Sequence, residues 1–139
     1  MQKSSPCYCV TLRRASQAIT ELYDAALAPS GLKITQLSLL RAVEREGPVS
    51  ITALADAVYL DRTTLGRNLH VLEREGLVSL VPGFDLRERL VQLTDQGVAT
   101  LEAAAPLWEQ AQATVREALG KEQLKTLRDL LSQVGALTP

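Results

Sequence analysis

The sequence predicts a mostly α fold with a small β hairpin. Three observations predict it. Apolar residues recur every three or four positions over most of the chain, as in helices that bury one face. Between Val78 and Leu93 the period changes to two, and Pro82-Gly83 divides that stretch into two short runs. Before it, Asp61 to Gly76 reads as one helix with both ends marked. Asp61 is placed to accept from the free N–H groups of the first turn, and Gly76 can take the left-handed conformation that ends a helix and lets Leu77 fold back on Leu72.

In chain order, a short irregular start around Ser4 to Pro6 precedes a helical pattern from Cys7 to Ala28, with Leu12, Ala15, Ile19, Leu22 and Ala26 on one stripe. Pro29-Ser30-Gly31 ends it. Thr35 is the expected cap of a second helix carrying Leu37, Leu40 and Val43, closed by Gly47-Pro48. Ser50 is the expected cap of a third, with Ile51, Leu54, Ala55 and Val58 on one face. Tyr59-Leu60 then turns the chain into the marked helix. There Leu65, Leu69 and Leu72 form a narrow apolar stripe, while Thr63, Arg67, His70 and Arg74 line the opposite face, flanked by Thr64 and Asn68. Such a face suits base edges and phosphates; the plainer reading is a solvated surface.

Two short helices joined by a tight turn, the second outwardly polar, make a helix-turn-helix. The hairpin that follows, Val78 to Thr94 with a charged tip, gives the order of a winged helix. Thr94 is the expected cap of a long helix in which Val98, Leu101, Ala104, Trp108, Ala111, Val115 and Leu119 keep helical spacing; Pro106 is expected to kink it and Gly120 to break it. Leu124, Leu127, Leu131 and Val134 mark a last helix. The stripes at both ends of the chain exceed what a small winged core can cover. They predict pairing with a second copy, the alternative being a self-contained bundle. Three regions follow: 1–34 as an N-terminal dimerisation helix, 35–97 as a winged helix-turn-helix, and 98–139 as C-terminal dimerisation helices.

Composition narrows the function. A net charge of −1 and a pI near 5.8 exclude a binder that works by bulk positive charge. Residues 61–90 hold five Arg against five Asp or Glu, so any nucleic-acid contact rests on placed charges. No apolar run spans a membrane and the start lacks the apolar core of a signal peptide, so a cytoplasmic location with reduced cysteines is expected. His70 is the only histidine and Cys7 and Cys9 the only thiols, a poor set for a metal. No nucleophile–base pair or phosphate-cradling glycine loop stands out, so neither an enzyme nor a cofactor is expected.

With this order in place, the chain resembles the MarR family of bacterial transcription regulators. The most specific match is Asp85-Leu86-Arg87 followed by Val91 and Leu93-Thr94-Asp95-Gln96-Gly97, the family's wing pattern of Asp-x-Arg then Leu-Thr-x-x-Gly. Leu54-Ala55, Asp61-Arg62-Thr63-Thr64 and Leu72 to Val78 also fit. The resemblance implies a homodimer, most often a repressor, on a pseudo-palindromic site in double-stranded DNA. Arg62, Thr63, Thr64, Arg67 and Asn68 would meet the major groove. Arg87 would enter the minor groove, with Asp85 holding its side chain; the alternative for these two is a turn-stabilising ion pair. A winged module that binds another protein instead of DNA is the remaining alternative.

Members of the family often bind phenolic or aromatic acids, for which Arg13, Arg14, Tyr23, Arg41 and Trp108 are the candidate lining here. The stretch from Cys9 through Ser16 and Thr20 to Tyr23 is similar to the first helix of the organic-hydroperoxide-sensing branch, which implies a reactive Cys9 partnered by Tyr23. On one helix these two lie about 21 Å apart, so they would meet only across a dimer. That branch's second Tyr is absent near Thr35 and Gln36, and Cys7 is an addition to its pattern. The alternative is that both cysteines pack as small apolar residues near the dimer interface.

Overall fold

The structure, a computed structural model, describes residues 6–58, 60–85 and 87–137. The irregular start at Ser4 and Ser5, Tyr59 of the turn before the marked helix and Leu86 of the wing lie outside them. The order is α1 (Tyr8–Leu27), a 3₁₀ turn (Ala28–Ser30), α2 (Ile34–Glu46), β1 (Val49–Ser50), α3 (Ile51–Val58), α4 (Arg62–Arg74), β2 (Val78–Pro82), β3 (Arg89–Leu93), α5 (Asp95–Leu119) and α6 (Lys121–Gly135). This is the expected mostly helical, winged helix-turn-helix fold, with two differences of detail.

The first is the start of α2. Thr35 is not its cap; the helix begins at Ile34 with Lys33 in the cap position. The free donors of the first turn are met from elsewhere. Gln36 Oε1 accepts from the Lys33 N–H at 3.0 Å and Asp24 of α1 accepts from the Ile34 N–H at 2.8 Å. A carboxylate supplied by a neighbouring helix leaves no trace in the local pattern.

The second is β1. Val49 and Ser50 pair with Val91 and Leu90, so the hairpin becomes a three-stranded antiparallel sheet in the order β1-β3-β2. Two residues are too few to show a period of two. Ser50 keeps its expected role as well, its Oγ accepting from the Ala53 N–H at 3.1 Å.

The core runs continuously from Leu27 of α1 through Leu37, Leu40, Val43, Leu54, Leu65, Leu72 and Val91 to Leu101 and Ala104 of α5. α5 passes through Pro106 without ending, and Gly120, at φ 81°, separates it from α6. α1 packs along α5, and α6 contacts α5. The two terminal helices contribute little to the core: Leu27 is the one buried residue of α1, and α6 has none. Tyr8, Val10, Ile19, Leu130, Leu131 and Val134 instead leave an apolar surface on both.

Candidate nucleic-acid interface

α4 is set by its two ends. At the start, Asp61 accepts from the Thr64 N–H through Oδ1 at 2.8 Å, and the Thr64 hydroxyl donates to Oδ2, also at 2.8 Å. These bonds stabilise the ionised carboxylate and hold Asp61 below the usual carboxylate range. At the other end Gly76, at φ 79°, allows the Leu77 N–H to reach the Leu72 carbonyl at 2.9 Å and its own N–H to reach Glu73 at 3.0 Å. Leu65, Leu69 and Leu72 anchor the helix in the core.

The opposite face presents Arg62, Thr63, Arg67, His70 and Arg74 to solvent. Thr64 and Asn68 sit differently. Both are half-buried and line a groove of 490 Å³ with Ile34, Ser38 and Val58, and the Thr64 hydroxyl proton is already given to the cap. Arg62, Thr63 and Arg67 are therefore the better placed of the residues expected at the major groove.

A depressed Asp61 pKa contributes stability at pH values above its unfolded value, and that contribution is lost as the pH falls through its folded value. Asp61→Ala should remove it at neutral pH. The Thr63 and Thr64 amides should then exchange faster with deuterium while the Leu69 amide stays protected. Unchanged exchange at Thr64 would mean that the cap does not hold this end of α4.

The wing is a turn closed by its own backbone. The Gly83 N–H donates to the Glu88 carbonyl at 2.8 Å, and the Glu88 N–H to the Asp85 carbonyl at 2.8 Å. Asp85 does not hold the Arg87 side chain as expected: its Oδ1 accepts the Arg87 backbone N–H at 3.1 Å. The carboxylate fixes the turn, and the guanidinium is left free. Among the described residues the ion pairs are Arg45–Glu46 and Arg116–Glu109, so Arg62, Arg67 and Arg87 are all without an acidic partner.

Behind both elements lies a junction that joins them. The Thr94 hydroxyl donates to the Gly76 carbonyl at 2.6 Å and accepts the Gly97 N–H at 3.0 Å, while the Thr94 N–H donates to Leu77 at 3.1 Å. The Leu-Thr-x-x-Gly stretch thus ties the end of α4 to the wing and to the start of α5.

The sequence profile of the MarR family matches residues 30–87. The chain is 39% identical to the Mycobacterium tuberculosis transcriptional regulator MosR, solved in complex with DNA, with a TM-score of 0.83 over 94% of this chain and 96% of that one. The chain belongs to the MarR family. This MarR-family chain is also 26% identical to the HTH-type transcriptional regulator FarR of Neisseria gonorrhoeae, over 92% of its own length and 88% of that protein's. It superposes on the transcriptional repressor CouR, bound to a 23-mer DNA duplex, with a TM-score of 0.86 at 26% identity, covering 93% of this chain and 92% of CouR. All three relatives are transcriptional regulators, and this MarR-family chain is a winged helix-turn-helix regulator with them.

The residues expected to line an effector site fall in three places in this MarR-family chain. Arg41 stacks on the Trp108 ring at 4.2 Å from its centroid, in a groove of 370 Å³ that also includes Ile34, Arg45 and Val58. Arg13 and Arg14 lie apart from it with Val10 and Gln17 on the exposed half of α1. Tyr23 is in a third place, its hydroxyl donating to Gln112 Oε1 of α5. Burial raises the Tyr23 pKa above the usual phenol value, so the hydroxyl remains a donor. Its one proton is therefore committed within its own chain, whereas the expected partnership with Cys9 needs it free. Gln112 carries no local signal in the sequence, being a single Gln on a helix. Cys7 and Cys9 are free and exposed at the start of α1. Among the described residues no three His, Cys, Asp or Glu side chains gather as a metal site requires, and no helix is long and apolar enough to cross a membrane.

Proposed function

We propose that the protein is a homodimeric repressor that reads a pseudo-palindromic operator in double-stranded DNA. α4 lies in the major groove and the wing in the adjacent minor groove. One observation carries this reading: Arg62, Thr63 and Arg67 on a doubly capped helix, and Arg87 on a closed turn, stand on the solvent side without an acidic partner. That MosR and CouR were each solved on DNA supports it. The apolar surfaces of α1 and α6 support a dimer in which the regions 1–34 and 98–139 interlock and the region 35–97 binds DNA. Asn68 and Thr64 act at the edge of the contact, and Asp85 acts through the shape of the wing.

Release of DNA follows from a small aromatic acid, held by Arg41 and Trp108 and completed by Arg13, Arg14 and Tyr23 when two chains meet, or from oxidation of exposed Cys9. A thiol turned into a larger polar group between two first helices would alter the spacing of the two α4 helices, which has to match about one turn of DNA. The oxidant would be a hydroperoxide, and Tyr23 would have to leave Gln112 to serve that chemistry.

A DNA-binding titration, repeated with a hydroperoxide and with a panel of aromatic acids, tests the reading. Arg67→Ala should cost roughly 1–3 kcal/mol per half-site if the side chain reads a base. Arg87→Ala should weaken binding most on narrow A·T-rich flanks, where an inserted Arg reads groove width. Affinity should fall steeply with salt. Unaltered affinity in both variants at moderate salt would favour a winged module that binds another protein.

A further inference from the structure

We propose that Phe84 is an apolar wedge at the wing tip that enters the DNA minor groove beside Arg87 and selects a flexible base step at the flank of the site. The proposal rests on the DNA-binding reading above. Phe84 is 110% exposed, more than any other large apolar side chain among the described residues. Of the others, Tyr8, Val10, Leu130 and Leu131 sit on α1 and α6, where a second copy of the chain would cover them, and Leu137, 78% exposed, follows α6 directly. Phe84 belongs to neither helix. It stands on the same closed turn as Arg87, three residues before it, held there by the Gly83–Glu88 and Glu88–Asp85 backbone bonds.

A phenyl ring kept wholly in water is costly for the free protein. On a pre-formed turn, however, it loses little conformational freedom on binding. The tip also carries two acids, Asp85 and Glu88, against Arg87 and Arg89, so charge alone gives it little hold on DNA. An apolar group supplies what charge does not. Side chains such as Phe wedge between base steps from the minor groove and partly unstack them. Unstacking is easiest at pyrimidine–purine steps, so the ring prefers them without making a hydrogen bond. Arg87 then reads groove width, and Phe84 reads deformability next to it.

The test is selection of duplexes from random sequence by the full-length wild-type protein and by Phe84→Ala, followed by titration of the recovered site. The wild type should enrich a TA or CA/TG step at each outer flank, and the variant should lose that enrichment while keeping the inner half-site sequence. On the wild-type site Phe84→Ala should bind roughly 5- to 100-fold more weakly, by comparison with aromatic–base stacking elsewhere, and Phe84→Leu should recover part of the loss. The salt slope should be unchanged in Phe84→Ala but smaller by about one phosphate equivalent per wing in Arg87→Ala. A 2-aminopurine placed at the flanking step should brighten with wild type and stay quenched with Phe84→Ala. Thermal midpoints should match, because the ring packs on nothing. Identical selected flanks and equal affinities would overturn the proposal, as would a change in self-association with DNA binding intact. Failure of the wild type to enrich any sequence would instead overturn the DNA-binding reading itself.

Discussion

Gly97→Ala is expected to lower the thermal midpoint by roughly 6–12 °C, the equivalent of about 3 kcal/mol for a domain of this size. A Cβ at this position would lie 2.1 Å from the Leu77 carbonyl oxygen and 3.1 Å from its carbon. Both are backbone atoms at the start of the wing, and they cannot turn aside as a flexible side chain would. Relief requires α5 to move away from Leu77. That movement breaks the bonds Thr94 makes to Gly76, Leu77 and Gly97, and it opens the core where Leu101 and Ala104 enter it. DNA affinity should fall with stability, because this junction sets the position of the wing against α4. Circular dichroism on heating reads the first effect and a DNA titration the second. A variant that melts within a degree or two of wild type would show that α5 can shift at little cost.

A chain ended at Gly120 is expected to be a monomer at micromolar concentration and to lose about 100-fold or more in operator affinity. None of α6 is buried in the single chain, so its removal leaves the core from Leu27 to Ala104 in place. It removes instead the apolar surface of Leu127, Leu130, Leu131 and Val134, which are 39–52% exposed and sit on one helix. With that surface gone, each winged unit binds its half-site alone and the gain from linking two sites is lost, typically a factor of 10²–10⁴. Helical content measured by circular dichroism, apart from the lost helix, should stay near that of the full chain. Sedimentation gives the association state directly. A truncated chain that still sediments as a dimer and still binds the full operator would move the interface to α1 alone.

The sequence by itself determined the parts whose physics is local. The ends of α4 were legible because a cap and a left-handed glycine act on the residues beside them: Asp61 does bond to Thr64, and Gly76 does take a positive φ. The hairpin was legible from its period, and Thr94 from its position before an apolar helix. The outward face with Thr63, Arg67, His70 and Arg74 followed from helical geometry alone, whereas Arg62 was marked only by the family resemblance. The tertiary structure decided what depends on groups far apart in the chain. β1 exists because Val91 lies beside Val49, although two residues carry no pattern. α2 starts at Ile34 because Asp24 reaches it from α1. Tyr23 is committed because Gln112, 89 positions away, is opposite it. Asp85 holds the backbone of Arg87 rather than its side chain, and Gly97 is required by the carbonyl of Leu77. A spacing rule registers which side of an element a residue occupies, but not which atom of another element will meet it there. That is fixed only when the core closes and every buried donor and acceptor has to find a partner.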